Sequence, residues 1–205
     1  MKIIKCILVI AVVAFVIYNS IYFRKLNELE NTGTQKFNAV AYTHDFMEKK
    51  LTLALNNAID LNELLDKLQS AKDKTFETYS HALAIGNQRY FLVKGKGIIT
   101  AINDDDVTIK MDSTNKAVLI ATEFIYGNAI RDASGLIDNN TFTNTTDFNN
   151  VSAELDKTIR ATVIPVFKKT AKIGAVVDFA GALELNKERV NTDNLEIIPI
   201  KLIVK

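Results

Sequence analysis

A single cysteine, Cys6, stands in the whole sequence. It excludes an intrachain disulfide, a cysteine-based zinc cluster and a CxxC redox pair. Histidine is almost as scarce: His44 and His81 are the only two, both in helical patterns or at their ends. With no G-x-S-x-G element either, no set of nucleophile, base and orienter assembles, and the chain reads as a non-enzyme. A basic excess is missing too. Lys2, Lys5, Arg24 and Lys25 are the only charged residues in the first 25, so the rest carries 21 basic against 24 acidic side chains. That balance argues against nucleic acid, where phosphate contacts demand a basic stripe. Two prolines and 48% hydrophobic residues describe one globular domain with attachments rather than a disordered or repetitive chain.

One long hydrophobic run is present. Residues 6–23 (CILVIAVVAFVIYNSIYF) are uncharged, long enough to approach a bilayer core of about 30 Å at about 1.5 Å per residue. Basic residues flank the run, and Tyr18, Tyr22 and Phe23 at one end suit an interfacial belt. The apolar stretch follows Cys6 instead of preceding it, which speaks against lipidation there. No small-x-small site follows the run, which speaks against a cleaved signal peptide. The expectation is an uncleaved signal anchor over 1–25, a polar tether over 26–36 and an exported domain over 37–205.

Within that domain, from Asn38 to about Asn57, apolar side chains recur at helical spacing (Val40, Met47, Leu51, Ala54 and, just beyond, Ala58). Asp60 and Glu63 form a capping-box pattern ahead of Leu61, Leu64, Leu65, Leu68, Phe76 and Tyr79, predicting a helix to about Tyr79. These two helices make a cap over 37–80. Strands are predicted at 89–103, 107–111, 117–125, 172–185 and 195–204, with bends at Gly95, Gly97, Gly174 and Gly181 and an edge position at Pro199. A helix from about Phe148 to Ile164, capped by Asp147 or Asn150, separates the third and fourth strands and stops or kinks at Pro165. The fold class is therefore α+β: a five-stranded OB-fold-like barrel with a helix between strands three and four and two N-terminal helices, behind an N-terminal membrane anchor helix. A lipocalin-like half barrel and an open α+β sheet are the alternatives.

Several motifs fall in order along this frame: Lys94-Gly95-Lys96-Gly97, Gly127 with Arg131-Asp132, Phe142-Thr143-Asn144, Asp147-Phe148 ahead of Val151 and Leu155, and Gly181-Ala182. In these the chain resembles, from about Lys36 to its C-terminus, the bacterial predicted periplasmic lipoproteins of domain of unknown function 2291. Thr145 stands where that family usually has Gln, and its lipidation cysteine has no convincing counterpart. The resemblance implies an exported OB-type domain with no assigned activity, often encoded beside sugar ABC-import components.

Arg131 and Asp132 could form a buried pair, a ligand clamp or a helix-start ion pair; with Phe142, Asn144 and Phe148 they make a candidate functional or structural clasp. Lys94, Lys96, Asp104 and Asp106 are candidate ligand-face residues. Asp104-Asp105-Asp106 with Asp112 offers oxygen to a hard cation, but lacks the EF-hand spacing and reads as a solvated turn. Lys94-Gly-Lys-Gly97 lacks the phosphate-loop pattern. Neither metal nor cofactor is expected. The functional expectation is a non-catalytic accessory or binding module, anchored in a bacterial inner membrane with its C-terminal domain on the periplasmic side. Its partners would be the membrane and a component of a sugar ABC importer. The alternative is a small-ligand or saccharide receptor using strands two and three with the loops at 104–106 and 186–194.

Overall fold

The computed structural model describes Phe15 and residues 37–83, 86–114 and 116–205. The chain divides into Met1–Phe37 and Asn38–Lys205. The anchor expected over 1–25 and the tether over 26–36 lie outside the described residues, Phe15 excepted; that residue is helical and exposed. No helix among the described residues is long and apolar enough to cross a membrane.

The second unit opens with α1 (Ala39–Phe46), a π-helical turn at Met47–Leu51 and α2 (Thr52–Asn56). Asn38 caps α1, its side chain accepting from the Ala41 amide at 3.0 Å. The π turn adds a residue to the helical repeat, so the buried positions become Thr43, Phe46 and Leu51, while Val40 is exposed. Val40, expected on the apolar face from helical spacing, therefore points to solvent. After β1 (Ile59–Asp60), α3 (Leu61–Ser70) starts where the capping pattern places it. Asp60 Oδ1 accepts from the amides of Asn62 at 2.9 Å and Glu63 at 3.4 Å, satisfying two donors that the first turn leaves over. The helix expected to run on to Tyr79 breaks at Ala71, whose φ of −151° is not helical, and resumes as α4 (Lys72–Tyr79).

Short β2 (Ser80–His81) leads to β3 (Gln88–Ile102), β4 (Asp106–Met111) and β5 (Ala117–Ala121). Then come α5 (Ala129–Ser134), a 3-10 turn at Asn139–Thr141, α6 (Thr145–Thr162), α7 (Ile164–Thr170), β6 (Val176–Asn186) and β7 (Leu195–Val204). The pairing path β3-β4-β5-β7-β6 returns to β3 along Gln88–Ile98 against Val176–Asn186. The five long strands therefore close into a ring, with α6 between the third and fourth of them, and the half-barrel and open-sheet alternatives fall away. The third strand stops at Ala121, short of Ile125, and the fourth begins at Val176, leaving Gly174 in a turn at φ 86°.

Two of the glycine sites are close approaches rather than simple bends. A Cβ at Gly97 would run into the carbonyl of Lys110, and one at Gly181 into that of Ile198. Pro199 is only half an edge residue. β7 pairs with β5 through Leu195–Ile197 and with β6 on its other side, where the register skips Ile200 between Pro199 and Lys201. Past Ile197 the β5-facing side is unpaired, and there proline's missing amide costs no ladder bond.

Inside the ring, Phe91, Val93, Ile99, Ile109, Val118, Ile120, Val177 and Ile197 share one core with Leu61, Leu64, Leu65, Leu68 and Phe76 from the helices before β3, and with Phe167 of α7. Residues of β3 that alternate with these, Tyr90 and Leu92, face outward and carry a second, smaller cluster with Ala129 and Ala133 of α5 and Ala182 of β6. Alanine at both helix positions lets α5 lie close on the ring's outer surface. That outer layer holds the site.

Candidate functional site

All six residues of α5 are buried, Arg131 at 5% and Asp132 at 3% exposure among them. Ala129 and Ala133 face the sheet, so Arg131 is turned away from it, toward α6. Its Nε donates to Asp132 Oδ1 at 2.7 Å, and Asn128 Nδ2 donates to the other carboxylate oxygen. A buried guanidinium so paired avoids the penalty of an uncompensated charge. Its Cζ lies over the Phe148 ring, 3.7 Å from the centroid. Phe148 in turn meets Phe142 edge-to-face at 5.4 Å, and Phe142 meets Tyr42 of α1 at the same separation. Asn144 caps α6: its Oδ1 accepts from the Asp147 amide and its Nδ2 donates to Asp147 Oδ2, both at 2.8 Å. The helix thus begins earlier than the apolar spacing indicates, and its cap is Asn144, not Asp147 or Asn150. Gly135 ends α5 in the left-handed region at φ 63°, against the His81 ring.

Arg131, Asp132, Phe142, Asn144 and Phe148 are therefore brought together. Arg131 also lines a cleft of about 580 Å³ that α5 and α6 enclose with the segment 126–128. Arg160 of α6 faces the same cleft. It donates to the Ile125 carbonyl and stacks on Tyr126, 4.3 Å from the ring centroid. Asp156, one turn before it, is 4% exposed. Burial pushes its carboxyl up to about 6, against the opposing pull of Arg160 and Arg131. Ser152, one turn earlier still, is 7% exposed, and its Oγ has no hydrogen-bond partner among the described residues. Burying a hydroxyl without a partner is costly, and this one belongs to a residue of the cleft wall while being itself shut off from solvent. Beneath the cleft, burial and then the carboxylates of Glu184 and Asp132 raise the Tyr90 phenol above its usual range.

Sequence reasoning missed Tyr126, Ser152, Asp156 and Arg160. The last three recur every four residues with polar character, the pattern of a solvated helix face. What buries them is α5, whose arrival no periodicity in α6 announces.

The four ligand-face candidates are not brought together. Lys94 and Lys96 lie midway along β3 beside a second cavity of about 400 Å³, bordered also by Asp60, Asp178 and Lys201. Lys94 Nζ donates to the Asn56 carbonyl at 2.7 Å, and Lys96 lies 3.9 Å from Asp112. Asp104 and Asp106 are at the β3–β4 turn, where Asp106 Oδ1 accepts from Asn103 Nδ2 at 2.8 Å. The Asp105 carbonyl accepts from the Thr122 and Glu123 amides, joining this turn to the segment after β5. A whole strand separates the three aspartates from Asp112, and among the described residues no group of three or more His, Cys, Asp or Glu could hold a metal ion. His44 pairs with Glu48 across one exposed helical turn at 3.4 Å.

An OB-fold protein from Thermotoga maritima, known from its crystal structure, is similar to this chain with a TM-score of 0.73 at 24% identity. The match covers 83% of this chain and 100% of the other. At that identity it shows the fold: the closed ring with its intervening helix is an OB-fold. Among curated proteins none matches the chain significantly. The family model described as predicted periplasmic lipoprotein (DUF2291) matches residues 11–203. With nearly the whole chain matched, this protein belongs to the DUF2291 family of predicted periplasmic lipoproteins.

Proposed function

We propose that this chain is a non-catalytic binding module of the bacterial envelope, tethered to the inner membrane with its OB domain on the periplasmic side, and that it takes a small ligand in the cleft between α5 and α6. The family's description supports the compartment. The convergence of Arg131, Asp156 and Arg160 on one cleft supports the binding role. Convergent polar groups in a concave, partly apolar site are the ordinary signature of ligand recognition. This reading moves the ligand away from the outward face of β4 and β5. There the side chains pointing out are Thr108, Lys110 and Leu119, and neither of the two cavities described above opens on them.

A screen of small molecules by thermal shift on the full-length chain in mild detergent tests the reading, because a ligand that binds the native state raises Tm. Ala153 lines the cleft and is exposed, so A153W fills the space without entering the core. Ligands that stabilise the wild type and not A153W support the site; a broad screen without a shift removes it. A sugar ABC-importer component is the partner class that the family resemblance points to, and cross-linking followed by recovery of no transporter component removes that partner.

A further inference from the structure

Resting on the cleft reading above, we propose that the ligand is a small organic anion, its carboxylate or phosphate held between Arg131 and Arg160, with Asp156 serving as the proton-accepting partner of the bound anion.

The two guanidiniums carry the argument. Each is laid on an aromatic face, Arg131 on Phe148 and Arg160 on Tyr126, and each is anchored by one hydrogen bond, to Asp132 and to the Ile125 carbonyl. The ring contacts and anchors hold the two side chains before any ligand arrives, so little side-chain entropy is lost on binding. Among the described residues Arg131 Nη1 and Nη2 donate to no protein acceptor, although the residue is 5% exposed. The wall thus offers unspent donors on two guanidinium edges. Such a wall matches a ligand rich in acceptors, and planar guanidinium forks match carboxylate and phosphate oxygens in pairs.

Asp156 gives the site its second property. The charged groups that face it are Arg160 on its own helix and Arg131 on α5, with Asp132 behind Arg131 and Tyr126 forming the outer wall. When Asp156 is ionised it competes with an incoming anion for both guanidiniums. When it takes a proton from solvent it leaves them to the ligand and can itself donate a hydrogen bond. Burial already lifts its carboxyl to about 6, so the exchange is within reach of ordinary pH. Anion binding should therefore be accompanied by proton uptake and weaken as pH rises.

The experiment titrates the full-length chain in mild detergent with sodium D-glucuronate, inorganic phosphate and D-glucose, by calorimetry at pH 6 and pH 8. Glucuronate is expected to bind at pH 6, about tenfold more tightly than at pH 8, with heats that depend on the buffer's ionisation enthalpy. Phosphate, measured at pH 6, tells whether the site prefers a phosphate or a carboxylate group; either preference supports the proposal. R160Q should lose the binding and R160K should lose part of it, since lysine keeps the charge without the planar fork. D156N should bind with a flat pH profile. D-glucose binding as well as glucuronate, in a manner abolished by A153W, would leave the cleft reading standing and overturn the anion. No binding of any probe overturns the anion inference, and a thermal-shift screen that is also blank removes the cleft. A pH profile unchanged in D156N overturns the role of Asp156.

Discussion

The guanidinium carbon of Arg131 lies over the ring of Phe148, 3.7 Å from its centroid, and this contact joins the outer face of the strand ring to the helix that crosses it. Arg131 belongs to α5, which sits on β3 and β6; Phe148 belongs to the first turns of α6. Desolvated contacts of this kind are worth about 2 kcal/mol. The same side chain that fastens the two helices presents its remaining donors to the cleft. Structural and binding roles are therefore combined in one residue, and substitutions have to be chosen to part them.

The partner of Arg131 is the first place to do so. Replacing Asp132 by Ala leaves a buried guanidinium without its counter-charge and should lower stability by about 3–5 kcal/mol, read by urea denaturation. The double change R131M/D132L removes both charges and should cost clearly less than D132A alone. Equal losses in the two proteins would mean that the ion pair contributes through packing instead of charge.

Asp156 sets a pH dependence of opposite sign to the common carboxylate. Its folded-state carboxyl titrates near 6, above the ordinary aspartate value of 3.8. The folded chain therefore holds its proton where the unfolded chain has released it, and stability falls as pH rises from about 4 through 6. D156N should flatten that slope and raise stability at pH 7–8 by about 1–2 kcal/mol, a figure reduced from the full shift because the carboxyl borders a cleft open to solvent. Thermal unfolding against pH for both proteins supplies the check.

His81 contributes the reverse trend. Burial lowers its pKa below the usual 6.5, so protonation is easier in the unfolded chain and stability is lost as pH falls below that range. H81Q should diminish the acid-side loss while leaving the branch assigned to Asp156 untouched, and the same thermal unfolding series reads it.

Gly97 and Gly95 separate two kinds of crowding. A methyl at Gly97 meets the backbone carbonyl of Lys110, which cannot move without opening the β3–β4 pairing; a methyl at Gly95 meets the tips of Phe179, at 2.6 Å, and Met111, which can shift. G97A is expected to cost about 2–3 kcal/mol and G95A about 1 kcal/mol. Denaturant midpoints compare them directly, and a larger loss for G95A would reverse the assignment.

Asn144 acts as a helix cap and does not line the cleft. N144A should remove about 1 kcal/mol of stability and leave ligand affinity in the cleft unchanged, measured by the same calorimetry.

Much of this architecture is written in local patterns. Leu195–Val204 forms a strand over the span that its composition indicates, Asp60 caps α3, and the apolar steps Val151, Leu155 and Ile159 bury one face of α6. Three things have no local signature. The π turn at Met47–Leu51 inserts a residue that periodicity cannot register. Ala129–Ser134 carries polar and charged residues yet is wholly buried, because its alanines meet Ala182 on a strand about fifty residues later in the chain. The cleft combines residues of α5 with those of α6, and its polar wall is indistinguishable, within α6 alone, from an ordinary wet face. By contrast, Asp104 and Asp106 look like companions of Lys94 and Lys96 only in a linear reading; an extended strand of this length carries them tens of ångströms apart.

The β3–β6 pairing also has a temporal meaning. Its outermost partners, Gln88 and Asn186, are separated by roughly a hundred residues, and β7, which must join β5 to β6, ends at Val204. No closed ring can exist until β7 has been made. The closing step therefore follows the synthesis of every other strand of the ring.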